Sequence, residues 1–443
     1  MSGLEIAILM IFCTFAGIIL GIPIGISLIF FSVSGILLMT GDFDMIAGLL
    51  GNGPFYTLFD YELCVIPLFV LMGDFVIMAG AGQDLYRAFH VMLKKVRGGL
   101  AIATVLSNAV FAAVTGVSIA SAAVFSKVVY PEMKRFGYDK KFTLGAISGS
   151  SVLGMLIPPS VLFIVYGIFS EESIGKLFMA GVIPGLLLMT IYCLGIVTMI
   201  SFRPQLAGTV VMPEDEEAGH FFTKFRRLFG DTWGIATLIL IVLGGMYAGL
   251  LTPTEAGAAG AIGACLLAVV NRRFKISSMH HALRETGLVI ASFFTLFIGA
   301  QLFSRMLAMS GFARILTETL LGLSLPPYLI ILMMVLVWLI LGSLIDSISI
   351  MILTLPLMLP IAKALGFDLI WFGVVATITV EMGLITPPFG MVPFVMQSSL
   401  GGEASVYDIF RGALPFLLMM MIALAIIIAF PQLSTWLPSR LLG

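Results

Sequence analysis

An all-α membrane protein that crosses the bilayer many times is the expectation set by three features of the chain. Of its 443 residues 60% are hydrophobic and only 11% charged, against roughly a quarter charged in soluble domains. Apolar runs close to the ~20 residues needed to span a bilayer recur along its whole length. Two of those runs carry the same break, "GMLIPPS" from Gly154 and "GLITPPFG" from Gly383. A constant spacing of 229 relates Gly154 to Gly383, Pro158 to Pro387 and Pro159 to Pro388. The formal charge of −1 points to neither nucleic acid nor an acidic partner, and without a Walker motif direct ATP coupling is unsupported.

Taken in order, spans are placed near 4–21, 24–40, 64–81, 177–200, 232–250, 254–271, 286–309 and 412–433. Residues 1–40 lack a basic n-region and a small-residue cleavage site, so they read as two retained spans. "QDLYRAFHVMLKKVRGG" (83–99) mixes basic and aromatic residues amphipathically and is expected to lie along the inner interface. In "TPTEAG" (252–257), Thr252 reads as an N-cap, Pro253 as the first helical residue and Glu255 as the closing member of a capping box. The one long polar segment, 203–231, is expected to connect two halves on the cytoplasmic side. Cys13, Cys64, Cys193 and Cys265 lie singly in apolar sequence with no metal or disulfide spacing. His90, His220, His280 and His281 likewise lack ligand spacing.

Four apolar stretches, 99–133, 142–168, 329–362 and 369–398, do not read as simple spans. The 229 spacing also places Ser118 on Ser347, Ile119 on Ile348, Pro131 on Pro360, Lys134 on Lys363, Gly137 on Gly366 and Asp139 on Asp368. Gly82 meets Gly311 at the same offset. Such matches among Pro, Gly, Asp and Lys mark a duplication: a first repeat 1–202, a connector 203–231 and a second repeat 232–443. Arg87, Lys94, Lys95 and Arg97 precede the stretch 99–133, and Lys134, Arg135, Lys140 and Lys141 follow it. Both its ends therefore read as cytoplasmic, which a re-entrant hairpin satisfies. The matching stretch 329–362 has only Arg314 and Lys363 near its ends and reads as entering from outside. Five crossings and one hairpin per half invert the second repeat, the architecture of secondary transporters with a site near the bilayer midplane.

The breaks fit that site. Unsatisfied backbone groups cost several kcal/mol each in hydrocarbon, so irregular backbone belongs where it lines a cavity or is buried in protein. Consecutive prolines lack the N–H donor and end the helix, freeing carbonyls around Gly154 to Ile157 and Gly383 to Thr386. Freed carbonyls and helix C-termini suit a dehydrated cation such as Na⁺, and helix N-termini suit a carboxylate. Polar tips accompany both breaks: Thr115, Gly116, Ser118 and Ser121 in "AVTGVSIAS", and Gly342, Ser343, Asp346, Ser347 and Ser349 in "LGSLIDSIS". Asp346 is either a Na⁺ or proton ligand or an acceptor for N–H groups at the tip. Glu381 poses the same choice, with a solvated vestibule as a third possibility.

At "GMLIPPSVLFIVYG" (154–167), "GLITPPFG" (383–390), "IPLFVLMG" (66–73) and "LTPTEAG" (251–257), the chain resembles the large membrane subunit of tripartite ATP-independent periplasmic (TRAP) transporters. The resemblance runs from the N-terminal helices to the last span. It implies an elevator-type, Na⁺-coupled importer of small organic acids such as sialic acid or dicarboxylates in the bacterial inner membrane. It also implies a small four-helix membrane subunit and a periplasmic substrate-binding protein as partners. Carried over residue by residue, it implies one Na⁺ site at Thr115, Gly116, Ser118, Gly154 and Ile157, and another at Gly342, Asp346, Ser347, Gly383 and Thr386. Where related sequences often carry Asn two residues before the acid of the second break, this chain has Thr379. Other classes remain: a self-sufficient Na⁺ or H⁺ carboxylate symporter of the wider ion-transporter superfamily, or a gated channel. An intramembrane enzyme is disfavoured, because no Ser/His pair, paired Asp or His-x-x-x-His lies at membrane depth.

Overall fold

A computed structural model of the chain describes residues 2–59, 61–93, 96–208, 232–323 and 325–441, and among them every long element is a helix. Seven segments are long and apolar enough to cross a membrane: Tyr61–Met78, Lys140–Ser170, Ile174–Phe202, Pro253–Val270, Ile276–Ser310, Ser347–Ala364 and Val406–Ala429. Six shorter apolar helices accompany them, Gly3–Ile19, Ile24–Thr40, Gly99–Thr115, Thr232–Tyr247, Pro327–Gly342 and Leu369–Leu384. The chain is therefore a multi-pass, all-α membrane protein.

Element boundaries recur with the spacing seen in the sequence. The stretch 99–133 resolves into a helix pair, Gly99–Thr115 and Ser118–Arg135, and 329–362 into Pro327–Gly342 and Ser347–Ala364. After each pair comes an interrupted helix. The first runs Lys140–Ser151, Leu153–Leu156 and Val161–Ser170; the second runs Leu369–Leu384 and Met391–Ser399. Both begin on an aspartate N-cap, Asp139 accepting from the Phe142 N–H at 2.8 Å and Asp368 from the Trp371 N–H at 2.9 Å, each satisfying an orphan donor of the first turn. The Thr252–Glu255 capping box forms as read, with Pro253 opening the helix.

Several expectations are corrected. The expected span 286–309 is the end of a 35-residue helix, Ile276–Ser310, whereas the first half has two shorter helices, Phe43–Leu58 and Val65–Met78, in the corresponding stretch. Phe43–Leu58 escaped notice because its polar and glycine positions dilute the apolar signal. The short helices Phe312–Gly322 and Gln432–Leu441 were also not foreseen. The glycine that turns the chain before 81–93 is Gly80 (φ +74°), matching Gly311 (φ +69°) in role, so Gly82 is not the partner of Gly311. Of the connector, only the short turn Pro204–Ala207 lies within the described residues; 209–231, with His220, and Lys94 and Lys95 lie outside them.

Packing interleaves the two halves. Val161–Ser170 of the first half lies on Ser347–Ala364 of the second, and reciprocally Met391–Ser399 lies on Ser118–Arg135. Tyr166 Oη donates to the Leu369 carbonyl at 2.5 Å across this boundary. At one end of the molecule Lys134 pairs with Glu403 at 2.8 Å and Lys140 with Asp408 at 3.0 Å. On another side, the Arg273 guanidinium grips Asp84 through two bonds, 2.7 and 3.0 Å, and donates to the Ala79 carbonyl at 2.7 Å. That carbonyl closes helix Val65–Met78. A Cβ on Gly80 would lie 2.0 Å from the guanidinium, so glycine there serves both the positive φ and the clamp.

Candidate functional site

Both helix pairs meet the second interrupted helix on one side chain. Glu381, near the end of Leu369–Leu384, is fully buried. Among the described residues it is the only acidic or basic side chain that is. Ser118 Oγ donates to its Oε2 at 2.5 Å and Ser347 Oγ to its Oε1 at 2.9 Å. These serines are the first residues of Ser118–Arg135 and Ser347–Ala364, so the positive ends of two helices face one carboxylate. Each hydroxyl-to-carboxylate bond contributes about 1.5–3 kcal/mol, which offsets a desolvation cost of several kcal/mol. The resemblance implies Ser118 and Ser347 in separate sites; here both hydroxyls also share Glu381. A solvated vestibule for Glu381 is excluded by its burial.

Around the first break, Gly154 lies against Ser118 and Gly116 against Pro159, whereas the Thr115 hydroxyl and the Ile157 side chain turn to Phe111 and Gly185. A Cβ on Gly154 would meet Ser118 N and Cα at 3.0 Å, and one on Gly116 (φ +63°) would meet the Pro159 carbonyl oxygen at 2.7 Å. Val161 N–H donates back to the Gly116 carbonyl at 3.5 Å. Pro158 and Pro159 withdraw the i+4 donors of the Gly154 and Met155 carbonyls, and Ser160 Oγ donates to the Met155 carbonyl at 2.5 Å in compensation. Thr115 Oγ1 donates to the Phe111 carbonyl at 2.9 Å, which leaves its oxygen lone pairs open. Ile157 ends Leu153–Leu156 in an extended conformation, and its side chain packs towards Gly185.

The second break is built differently. Gly342 and Gly383 touch backbone to backbone: a Cβ on Gly383 would lie 2.3 Å from Gly342 Cα. The Gly383 carbonyl, deprived of its donor by Pro387, accepts from the Thr386 N–H at 3.0 Å, and Thr386 Oγ1 donates to the Met382 carbonyl at 2.7 Å. Asp346 is half-buried and caps its helix, accepting from the Ser349 N–H at 3.0 Å. Its cap role is thus built. Exposure also differs: Pro158, Pro159 and Ser160 are buried, whereas Pro387, Pro388 and Phe389 are exposed. Both breaks contain a cis Pro–Pro bond.

A further polar cluster was missed. Asn108 Nδ2 donates to Ser150 Oγ at 2.5 Å, and Ser121 Oγ donates to Asn108 Oδ1. All three are buried, and they tie the first helix pair to its interrupted helix. An amide at membrane depth in 99–133 is the signal that exposes them. The positions spaced 229 later are Val337, Ile350 and Thr379, so no such network recurs there. Thr379 donates instead to its own helix, at the Val375 carbonyl, 2.7 Å away.

A multi-spanning helical protein whose broken helices and polar helix starts converge at its centre has the construction of a membrane transport protein. The chain belongs to the tripartite ATP-independent periplasmic transporter family, DctM component, whose model matches residues 11–433. It is 34% identical over 382 residues to the C4-dicarboxylate TRAP transporter large permease protein of Pseudomonas aeruginosa, covering 86% of this chain and 87% of that one. It is 30% identical to the sialic acid TRAP transporter large permease protein of Vibrio cholerae, with 96% of each chain covered. Among solved structures, the YdaH transporter of Alcanivorax borkumensis has a similar fold: TM-score 0.64 at 15% identity, covering 90% of this chain and 91% of that one. As a large permease of this family the chain is a bacterial inner-membrane transport component and not an enzyme.

Proposed function

We propose that this large permease imports a small organic acid, handed over by a periplasmic substrate-binding protein, by coupling its entry to Na⁺. It works with a small four-helix membrane subunit. The two halves, 1–202 and 232–443, are inverted repeats. Their helix pairs are re-entrant hairpins, and these hairpins with the two broken helices form a unit that moves as an elevator against the remaining helices. One Na⁺ site is formed by Thr115, Gly116, Ser118, Gly154 and Ile157, and the other by Gly342, Asp346, Ser347, Gly383 and Thr386. The observation that carries this reading is the meeting of both helix starts on the buried Glu381, with Gly154 packed on Ser118 and Gly383 on Gly342 beside breaks where Pro158, Pro159, Pro387 and Pro388 remove helical donors. Freed carbonyls suit Na⁺. The relatives named for C4-dicarboxylates and sialic acid support the substrate class.

Moving one positive charge inward through ~100 mV yields about 2.3 kcal/mol, so two or more ions per monoanion sustain steep accumulation. The test is uptake of labelled succinate and of N-acetylneuraminate into proteoliposomes holding this chain and its small subunit. It is run with and without a Na⁺ gradient and with and without the binding protein. Uptake that needs both supports the reading; uptake indifferent to the binding protein replaces it with a self-sufficient symporter.

A further inference from the structure

Charge is nearly absent from the helix pairs and interrupted helices, which isolates one cation. Lys127 lies on Ser118–Arg135, nine residues from its first residue and eight from its last. That is about 13 Å from the tip of the pair and about 12 Å from the far end of the helix. The other cationic side chains of these helices, Lys134, Arg135, Lys140, Lys141 and Lys363, all stand within a first or last turn. Lys127 is exposed. Among the described residues it has no ion pair or hydrogen bond. Its own helix offers no carboxylate three or four positions away, where Ala123, Val124, Tyr130 and Pro131 stand. The position spaced 229 later is Pro356, so the charge belongs to the first half alone.

The side of the helix that carries Lys127 suits water and not lipid tails. Ala120, Ala123, Lys127, Pro131 and Lys134 follow at three- and four-residue spacing and make up its partly or fully exposed side, whereas Ser118, Ser121, Phe125 and Val129 are buried. Ser347–Ala364, the 229-spaced relative of the same length, is apolar enough to cross a membrane, and Ser118–Arg135 is not. The same side reaches the second half. Lys134, two turns beyond Lys127, bonds to Glu403 at 2.8 Å, and Met391–Ser399, which follows the exposed Pro387, Pro388 and Phe389, lies along this helix. An ionisable group without a protein partner in such a segment belongs to a water-filled path and to the solutes that use it.

We propose that Lys127 holds the carboxylate of the transported acid transiently on the cytoplasmic side of the centre, between the breaks and the inner solution. Both the side and the identity of the anion rest on the proposed function, in which this hairpin opens to the cytoplasm and the cargo is an organic acid. Lysine suits a brief stop of this kind. Its ammonium is a hydrated point charge on a flexible stem, without the rigid fork by which arginine clamps a carboxylate, so it draws the anion in without retaining it. The stop is separate from the residues of the two Na⁺ sites.

Two measurements test this. In the first, the wild-type complex of this chain with its small subunit, in lipid nanodiscs with Na⁺, is acetylated with a membrane-impermeant sulfosuccinimidyl ester. Lys127 is followed by mass spectrometry with and without succinate or N-acetylneuraminate. Lys127 is expected to react, and one of the two acids to slow its reaction about threefold, the scale of one exposed charge pair, while the exposed Lys275 is unaffected. In the second, binding-protein-dependent uptake into proteoliposomes is inhibited by the same acid placed inside. Lys127→Gln is expected to raise the half-inhibiting internal concentration about threefold without changing the half-saturating concentration of loaded binding protein outside, and Lys127→Arg to match wild type. Failure of Lys127 to react, protection by neither acid, or equal internal and external shifts in Lys127→Gln overturns the proposal. So does an effect of Lys127→Gln confined to vesicles containing anionic lipid, which assigns the ammonium to a lipid headgroup. The labelling uses no variant and decides the matter if Lys127→Gln does not assemble. Wild-type uptake indifferent to Na⁺ or to the binding protein sinks the proposed function instead and leaves the labelling result standing.

Discussion

Alanine at Gly383 should cost far more than alanine at Gly154, although the two positions are related by the 229 spacing. A Cβ at Gly383 would stand 2.3 Å from Gly342 Cα and 2.6 Å from its carbonyl carbon. Carbon atoms at rest need about 3.5–4.0 Å, so the shortfall is about 1.2–1.7 Å against backbone, which has no rotamer to move aside. At Gly154 the nearest atoms are Ser118 N and Cα at 3.0 Å, a shortfall of about 0.5–1 Å. Overpacking of this kind costs about 1–3 kcal/mol and sometimes more, while replacing a helical glycine by alanine returns up to about 1 kcal/mol. The net expectation is about 2–3 kcal/mol of destabilisation for Gly383→Ala and about 0–1 kcal/mol for Gly154→Ala. Reversible denaturation in micelles reads the difference directly. Because Gly342 is the other half of the contact, with its own Cβ 2.7 Å from Gly383 Cα, Gly342→Ala should be costly too. Its combination with Gly383→Ala should fall short of the sum. Equal costs at Gly154 and Gly383, or a strictly additive pair at 342 and 383, would refute the claim that this backbone contact holds the second helix pair in place.

Ser118→Ala and Ser347→Ala should each destabilise the protein by about 1.5–3 kcal/mol. In a cycle with Glu381→Gln their effects should be strongly non-additive, and additivity would show that the carboxylate does not join them. Phe389→Cys, at an exposed position, should react with a membrane-impermeant maleimide, while Ser160→Cys, at its buried counterpart, should not; conditions that drive the proposed elevator to its other end should reverse the order. Arg273→Ala should cost about 1.5–3 kcal/mol, towards the lower end because its side chain is 35% exposed, with a fall in melting temperature as the readout. Glu403, held below its usual range by its bond to Lys134, contributes stability that is present above the ordinary carboxyl value and lost as pH falls through the lower folded value. Both side chains are exposed, so the melting-temperature decline on acidification attributable to this pair should vanish in Glu403→Gln and shrink in high salt.

What the sequence made legible follows from the range over which each signal acts. The helix start at Thr252 was readable because capping is decided within four residues; Asp139 and Asp368, read only as a pair in the 229 spacing, turn out to be N-caps by the same local rule. Interruptions at 158–159 and 387–388 were readable because proline chemistry is local. The pairing of Ser118 with Ser347 through Glu381 was not, since the partners are separated by 263 and 34 positions and only packing between halves brings them together. Asp346 shows the opposite limit: its residue type left a ligand and an acceptor for tip N–H groups both open, and a cap geometry three residues long accounts for its observed bond. The helix Phe43–Leu58 was hidden for a third reason: Gly48, Gly51, Gly53 and Pro54 break its apolar pattern, although the segment is helical with Asp42 as its N-cap.

The chemistry of the centre is asymmetric between positions spaced 229 apart, and that asymmetry has a physical reason. The position spaced 229 before Glu381 is Val152, and the positions spaced 229 after Asn108 and Ser121 are Val337 and Ile350. A second carboxylate opposite the first would place two like charges in a buried space where even one requires two hydroxyls and two helix starts. The first half instead ties its own pair together with the neutral Asn108, Ser121 and Ser150 network, which needs no counter-charge. Only the second half contributes a charge, and both halves contribute a hydroxyl to hold it. A single carboxylate therefore registers the position of both helix starts at once: if either withdraws, Glu381 loses a bond, and its charge must be met by another partner. Under the proposed coupling, that is the property the centre needs, and it depends on residues 108, 121, 150 and 152 carrying no charge.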